Sequence, residues 1–261
     1  CTNNDLAGIL GEGFAATCGG GNNWLGSLTE IAEDDGYWAI VNENTALNIE
    51  DAYPTSYDSS GAVVYDMHYG ANLISYPFQT TQSFDDALGE AADYIYAIMG
   101  GGICALNTPN GWIGSLQAFE SLKGYWLIAL DDFSFSFNGT EEGLARIAHQ
   151  PVIRSVPEIY QYVQSTKQAF YFVESAMIDD IPLEIDDIII AYNNDIVVGA
   201  RYWNGEYTDV PAMGMDDFIK SDDKYCTTND KVTFKVWDSS ANKLINMVSN
   251  GDNTWQDMRI S

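Results

Sequence analysis

The sequence predicts an α+β, β-rich chain in which a duplicated β/α module precedes an antiparallel β-sandwich. Three observations carry that reading. Trp24-Leu25-Gly26-Ser27-Leu28 with Gly36-Tyr37-Trp38 recurs as Trp112-Ile113-Gly114-Ser115-Leu116 with Gly124-Tyr125-Trp126, at an offset of 88. Two tryptophans, a tyrosine and two glycines that keep one spacing twice mark an internal duplication. The second half is built of short apolar runs split by Asn, Asp and Gly, the pattern of a sandwich. The chain has 261 residues, 46% of them hydrophobic and 13% aromatic, enough for two cores and far from a disordered composition.

Taken in order, residues 5–17 read as a helix end running into a strand of small residues, broken by Gly11 and Gly13. Residues 19–23 form a turn, and the spacing of a phosphate loop is missing there. In each copy Ser27 or Ser115 is placed to cap a short helix, with Glu30 completing a capping box in the first. Gly36 and Gly124 suit a left-handed helix end, and Tyr-Trp-x-Ile then opens a strand. Residues 42–61 are polar and read as a loop; 62–65 and 72–78 read as strands. Residues 83–99 carry an acidic first turn behind Ser83 and apolar positions at helical spacing, so a helix is expected. Phe133, Phe135 and Phe137 alternate with serines as a one-faced strand. The domains are therefore 1–138, a connector at 139–151, and a sandwich at 152–261 with strands at 168–173, 187–192, 196–201 and 232–237.

Subtracting the offset of 88 from the strand at 72–78 and the helix at 83–99 places the first copy's strand ahead of residue 1. The expectation is a longer chain, or a strand supplied by a neighbouring subunit through β-augmentation.

Charge narrows the setting. The net charge is −27, and the first 122 residues hold 16 acids with no Lys or Arg. Nucleic acid and anionic membrane are poor partners for such a surface, whose self-repulsion calls for counterions or a saline medium. Salt, and divalent cations at lower concentration, are expected to raise the melting temperature. No apolar run approaches the roughly 20 residues that cross a bilayer.

Chemistry is sparse. The cysteines are Cys1, Cys18, Cys104 and Cys226; none forms a CxxC pair, and His68 and His149 are far apart, which speaks against zinc. Cys18 and Cys104 sit six and eight residues before the shared Trp, so they either bridge the two copies or remain buried thiols. There is no G-x-S-x-G elbow, and no Ser or Cys has an evident His partner. The acid doublets Asp34-Asp35, Asp131-Asp132, Asp179-Asp180, Asp186-Asp187, Asp216-Asp217 and Asp222-Asp223 point apart within a strand or loop and read as surface acids, without glycosidase geometry. Asp186, Asp187 and Asp195 are the candidates to converge on one sandwich edge and hold calcium, the one cofactor the sequence admits. Trp203 and Tyr207 flank a turn and are the candidate sugar-stacking pair; the competing reading puts Trp203 in the core.

A resemblance adds a setting. Residues 72–77, a helix, then Trp-x-Gly-Ser-Leu and Gly-Tyr-Trp resemble a module of secreted bacterial surface proteins. Residues 164–172 and 198–205, with Val198-Gly199-Ala200-Arg201-Tyr202-Trp203, resemble a sandwich module of the same kind of exoprotein. Together the pair is similar to structural proteins of marine cyanophages. The resemblance implies an extracellular or virion-surface role and no catalytic residues. Such modules often carry Cys before Val-Gly-Ala, where this chain has Val197, which leaves Cys226 without its usual partner. The expected function is thus non-enzymatic: a structural or adhesive protein that assembles with itself or with neighbouring surface subunits. A carbohydrate-binding segment of a larger secreted enzyme, with glycans as partners, is the alternative.

Overall fold

The structure is a computed structural model that describes residues 6–19, 21, 23–46, 63–139, 152–216 and 224–261. It divides into two compact units: residues 1–100, 107–110 and 117–150, and residues 101–106, 111–116 and 151–261. The break near residue 150 falls where the sequence places a connector, but the stems of one hairpin in the middle of the chain go with the second unit.

The first unit opens with a four-stranded antiparallel sheet. Its strands β1 (Leu6–Leu10), β2 (Ala15–Cys18), β3 (Trp24–Gly26) and β4 (Trp38–Val41) lie in the order β3-β2-β1-β4. Residues 6–10 are therefore strand, where the sequence suggests a helix end; Leu-Ala-Gly-Ile-Leu is too short and too interrupted by glycine to propagate a helix. Then follow β5 (Tyr65–Met67), β6 (Gly70–Ser75), β7 (Gln82–Ser83), the helix α1 (Phe84–Leu88), a 3₁₀ segment Gly89–Tyr94, and β8 (Ile95–Gly100). Ser83 caps α1, its hydroxyl accepting the Asp86 N–H at 3.2 Å. The helix expected over 83–99 stops there: Ile95-Tyr96-Ala97-Ile98-Met99 is a strand, and its pairing in the sheet overrides the helical spacing.

The hairpin strands β9 (Ile103–Thr108) and β10 (Gly111–Gly114) follow, then β11 (Ala118–Phe119), β12 (Gly124–Ala129) and β13 (Phe133–Phe135). In the first unit β12 is paired on both edges, with β8 and with β6. β11 pairs with β7, and β13 with β5. The core is aromatic. Phe119, fully buried, meets Phe84 and Tyr125 edge-on at 5.0 Å, Phe137 at 5.1 Å, and stacks on Tyr76 at 5.3 Å. Offset and edge-on rings of this kind add about 0.5–1.5 kcal/mol each beyond the area they bury.

Within the second unit the sandwich is as expected. One layer is β14 (Gln168–Val173) with β19 (Thr208–Met213), flanked by the small hairpin β15 (Met177–Ile178) and β16 (Ile181–Pro182). The other is β17 (Ile188–Asn193), β18 (Ile196–Tyr202), β20 (Val232–Asp238) and β21 (Lys243–Asn246), in the order β18-β17-β20-β21. Ile189 and Ala191 of β17 enter the core between layers with Tyr171, Val198, Val210, Phe234 and Trp255. Ile188, Ile190 and Tyr192 pack on the opposite side with Tyr160 and Ala200, which is why β17 reads as a continuous apolar run. The segment at 259–261 runs along β14, with the Phe172 N–H bonded to the Ser261 carbonyl at 2.7 Å.

Candidate functional site

Two blocks of the chain, 6–41 and 95–129, repeat a set of contacts and differ in what covers them. In the first, Leu6, Gly8, Ile9 and Leu10 of β1 pair with Val41, Ile40, Ala39 and Trp38 of β4. In the second, Ile95, Ala97, Ile98 and Met99 of β8 pair with Ala129, Ile128, Leu127 and Trp126 of β12. Every pair corresponds, 89 residues on along one strand and 88 along the other, and the bulge that skips Ala7 recurs at Tyr96. Bulges change which way a strand bends, so a recurring bulge fixes the same local twist.

The shared motif has a mechanical meaning. Gly26 (φ 143°) and Gly114 (φ 113°) occupy a backbone region that disfavours side chains. A Cβ on Gly26 would lie 2.1 Å from the Ala15 carbonyl oxygen, and one on Gly114 2.3 Å from that of Cys104. The Leu28 N–H reaches the Ala15 carbonyl at 3.0 Å, as the Leu116 N–H reaches the Cys104 carbonyl at 3.1 Å. The tyrosine closes each block: the Ala32 N–H donates to the Tyr37 hydroxyl at 2.9 Å, and the Glu120 N–H to the Tyr125 hydroxyl at 2.8 Å. No helix forms between the motif's two ends, and neither serine caps one: the Ser27 hydroxyl accepts the Ala15 N–H, and the Ser115 hydroxyl donates to Asp209. Gly36 and Gly124 have no left-handed φ; Gly36 is small because a Cβ there would come within 2.7 Å of the Ile74 carbonyl oxygen.

Cover is where the blocks part. β12 has β6 on its outer edge, whereas among the described residues no strand pairs with the outer edge of β4. Leu127 and Ala129 are buried; their counterparts Ala39 and Val41 are exposed. Phe119 lies under Phe84 of α1, while its counterpart Ile31 is 63% exposed. Leu25, at 54%, is exposed as well, but on the other face of the sheet, in register with Thr17, Gly8 and Ile40.

A second difference concerns the serines. The Ala15 N–H donates to the Ser27 hydroxyl at 3.3 Å. In the second block the equivalent groups turn to an outside carboxylate, Asp209 of β19. Cys104 N–H donates to Asp209 at 3.0 Å, Ser115 N–H at 2.9 Å, and the Ser115 hydroxyl binds the same carboxylate. Arg201 of β18 sits 3.7 Å from it and binds the Asp209 and Gly102 carbonyls at 3.0 and 2.7 Å. Burial pushes the Asp209 carboxyl up, against the pull of Arg201 and the Ser115 and Cys104 donors. Sequence reasoning missed this group: nothing in Thr208-Asp209-Val210 marks an acid that faces inward except its place among buried neighbours.

The residues the sequence singles out do not assemble into a catalytic or metal centre. Cys18 is disulfide-bonded, and Cys104 and Cys226 are free, so the Cys18–Cys104 bridge does not form. Cys104 belongs to the second unit and Cys18 to the first; burial raises both free thiols, Cys226 to about 12, so neither is a ready thiolate. Cys1 lies outside the described residues.

Asp186 pairs with Arg154 at 2.9 Å, and Asp187 is buried, accepting from Ser239 and from the Glu184 N–H. Asp195 sits at the far end of the β17–β18 hairpin from both, about 20 Å along a strand rising ~3.3 Å per residue. The calcium reading therefore fails: among the described residues no three His, Cys, Asp or Glu gather to hold a metal. Trp203 is a core residue of the sandwich, 8% exposed, and Tyr207 (φ 62°) points its hydroxyl to Glu174, so the pair does not form a sugar platform.

His68 binds Glu12 at 2.5 Å through Nε2 and the Tyr69 carbonyl at 2.9 Å through Nδ1, so both ring nitrogens rest on oxygens. His149, Asp217, Asp222 and Asp223 lie outside the described residues. An open pocket of about 580 Å³ in the first unit is lined by Tyr94, stacked on Phe133 at 5.1 Å, with Glu90 and Asn138. Among the described residues no helix is long and apolar enough to cross a membrane. No protein-family model, curated protein or solved structure matches the chain.

Proposed function

We propose that this chain is a non-enzymatic structural or adhesive protein of an extracellular or virion surface, working by assembly with neighbouring subunits. The observation that carries the reading is the uncovered apolar side of the first block: Ile31 and Val41 stand exposed where the second block buries its equivalents, Phe119 and Ala129. Apolar groups gathered on one surface are a mark of interaction sites. The strongly acidic first 122 residues and the resemblance to exoprotein modules fit a saline exterior. Sedimentation across a concentration series at seawater salt tests it. Self-association that weakens on Ile31→Glu is expected; a monomer at every concentration and salt overturns the reading.

The alternative is a carbohydrate-binding segment, and one observation favours it. The half-exposed Tyr94 on Phe133 presents an aromatic face beside Glu90 and Asn138, the composition of a sugar subsite. Retention on a panel of immobilised glycans, lost on Tyr94→Ala, would move the weight to this reading.

A further inference from the structure

The assembly reading names no partner; deepening it, and resting on it, we infer that the outer edge of β4 is a docking site for an extended strand followed by a short helix, donated by a neighbouring polypeptide. The geometry comes from the second block. There the Tyr76 N–H binds the Lys123 carbonyl, so Tyr125, Leu127 and Ala129 turn their backbone groups to β6 in the alternation of an antiparallel ladder. Their counterparts on β4 are Tyr37, Ala39 and Val41. These face away from β1, and among the described residues no strand meets them.

β6 of this chain is not the missing neighbour. It reaches the first block at Gly36, whose N–H binds the Leu73 carbonyl at 2.9 Å. Gly36 is two residues before Trp38, so it presents its N–H on the same side of the strand as Trp38 does, the side of β1. Glu12, in the β1–β2 turn, takes the Leu73 N–H at 2.8 Å on that side too. The opposite edge is left.

The second block also says what fits there. β6 covers the edge, and α1 covers the face, with Phe84 seated on Phe119. In the first block the edge and the face are open together among the described residues: Ala39 and Val41 exposed on the strand, Ile31 exposed at the place of Phe119. An occupant with a β6-like strand and an α1-like helix closes both at once. A lone strand leaves Ile31 in water, and a lone helix leaves the amides of Ala39 and Val41 unpaired. The donor is therefore a segment with the pattern of residues 70–88: apolar and small residues in extended form, a polar turn, then a capped helix led by an aromatic. This is β-augmentation with a helical lid.

The test adds a synthetic peptide of residues 69–94 to the full chain and follows amide hydrogen exchange by NMR. In the free chain Ala39 and Val41 are expected to exchange fast. With peptide at ~100 times its Kd their exchange should slow about 100-fold, the protection that mass action supplies. Leu127 should not change, because its own β6 stays in place. Ala39→Pro removes an outward N–H, spares the Trp38 and Ile40 bonds to β1, and should abolish the effect. Should that variant fail to fold, a peptide carrying Ile74→Pro asks the same question of the wild-type chain and should not bind.

Ala39 and Val41 amides already protected without peptide, no slowing with it, or loss of protection at Leu127 would each overturn the inference. A chain that self-associates yet ignores the peptide keeps the assembly reading and loses this one. A chain that binds the peptide but never self-associates keeps the docking edge and loses the assembly reading.

Discussion

The two blocks at 6–41 and 95–129 share a backbone and differ in environment, so each serves as a control for the other. Gly26 and Gly114, Tyr37 and Tyr125, and a bulge at matching places do the same work whether the strand beside them is bare or buried. The local geometry is therefore set by near-neighbour contacts: a glycine against a carbonyl, a hydroxyl on an amide. Burial is set by elements outside the block, namely β6, α1 and the Asp209 carboxylate. Substitutions at matched positions should separate these two sources of stability.

The largest effect is expected at Asp209. Asp209→Ala strips a carboxylate from two buried N–H groups and a hydroxyl and leaves Arg201 charged in the interior. Breaking a buried pair this way costs about 3–5 kcal/mol. Denaturant melts should show that loss, while Ser27→Ala, at the first block's equivalent of Ser115, costs well under that because Ser27 is exposed. Equal costs at the two sites would mean that the buried anchor is not what distinguishes the second block.

Cover comes next. Leu127→Ala removes a fully buried side chain from β12 and should cost about 2–5 kcal/mol. Val41→Ala, on the bare face of β4, should stay within about 0.5 kcal/mol in the monomer. A Val41→Ala loss as large as that of Leu127→Ala would show that something covers β4 in solution.

The hydroxyls then isolate the shared contact. Tyr125→Phe leaves the Glu120 N–H without its partner and should cost about 1 kcal/mol, and Tyr37→Phe less, since water can replace its hydroxyl. Burial holds the Tyr125 hydroxyl far above its usual range, with the Glu120 N–H bond opposing it, so the phenol stays neutral to high pH. A spectrophotometric titration with ionisation of Tyr125 near the ordinary value of 10 would contradict its place in the core.

What the sequence made legible follows from the range of the forces involved. The Trp-x-Gly-Ser-Leu and Gly-Tyr-Trp spacings are readable because the first glycine and the tyrosine of each copy answer to contacts within their own block. The strands at 168–173, 187–192, 196–201 and 232–237 were readable because β-branched and aromatic runs between turns have few other outcomes. The pattern over 83–99 predicts a helix past Leu88, where the spacing of Ile95 and Ile98 suits one, but the pairing of β8 with β12 decides the matter. Ser27 and Ser115 looked like caps because a capping box is a local pattern; their hydroxyls are taken by the Ala15 N–H and by Asp209. The core reading of Trp203 holds, whereas the burial of Asp187, which follows another acid in sequence, shows only in the fold, where Ser239 and the Glu184 N–H donate to it. Asp195 and Asp186 are near in number, but the β17–β18 hairpin places its turn and its open end far apart.

The smallest expected effect tests how the first block is tied to β6. Its β1–β2 turn carries Glu12, which holds the Leu73 N–H and His68; the second block has Gly101 at that place, which offers no side chain. The Tyr69 carbonyl first, and Glu12 next, raise the His68 imidazolium above its ordinary value of 6.5. A base whose folded value is raised adds stability below its unfolded value and loses it as pH climbs through the folded one. The melting temperature should therefore decline from pH 6 upward more steeply in the wild type than in His68→Gln, by a small margin because the ring is mostly exposed. An NMR titration of the His68 ring reads the same property directly. Its midpoint should lie above 6.5 in the wild type and move down in Glu12→Gln, without reaching the ordinary value while the Tyr69 carbonyl still accepts from Nδ1. A wild-type midpoint at or below 6.5 would mean that Glu12 serves only the Leu73 amide, and that the first block's turn carries no pH-dependent tie.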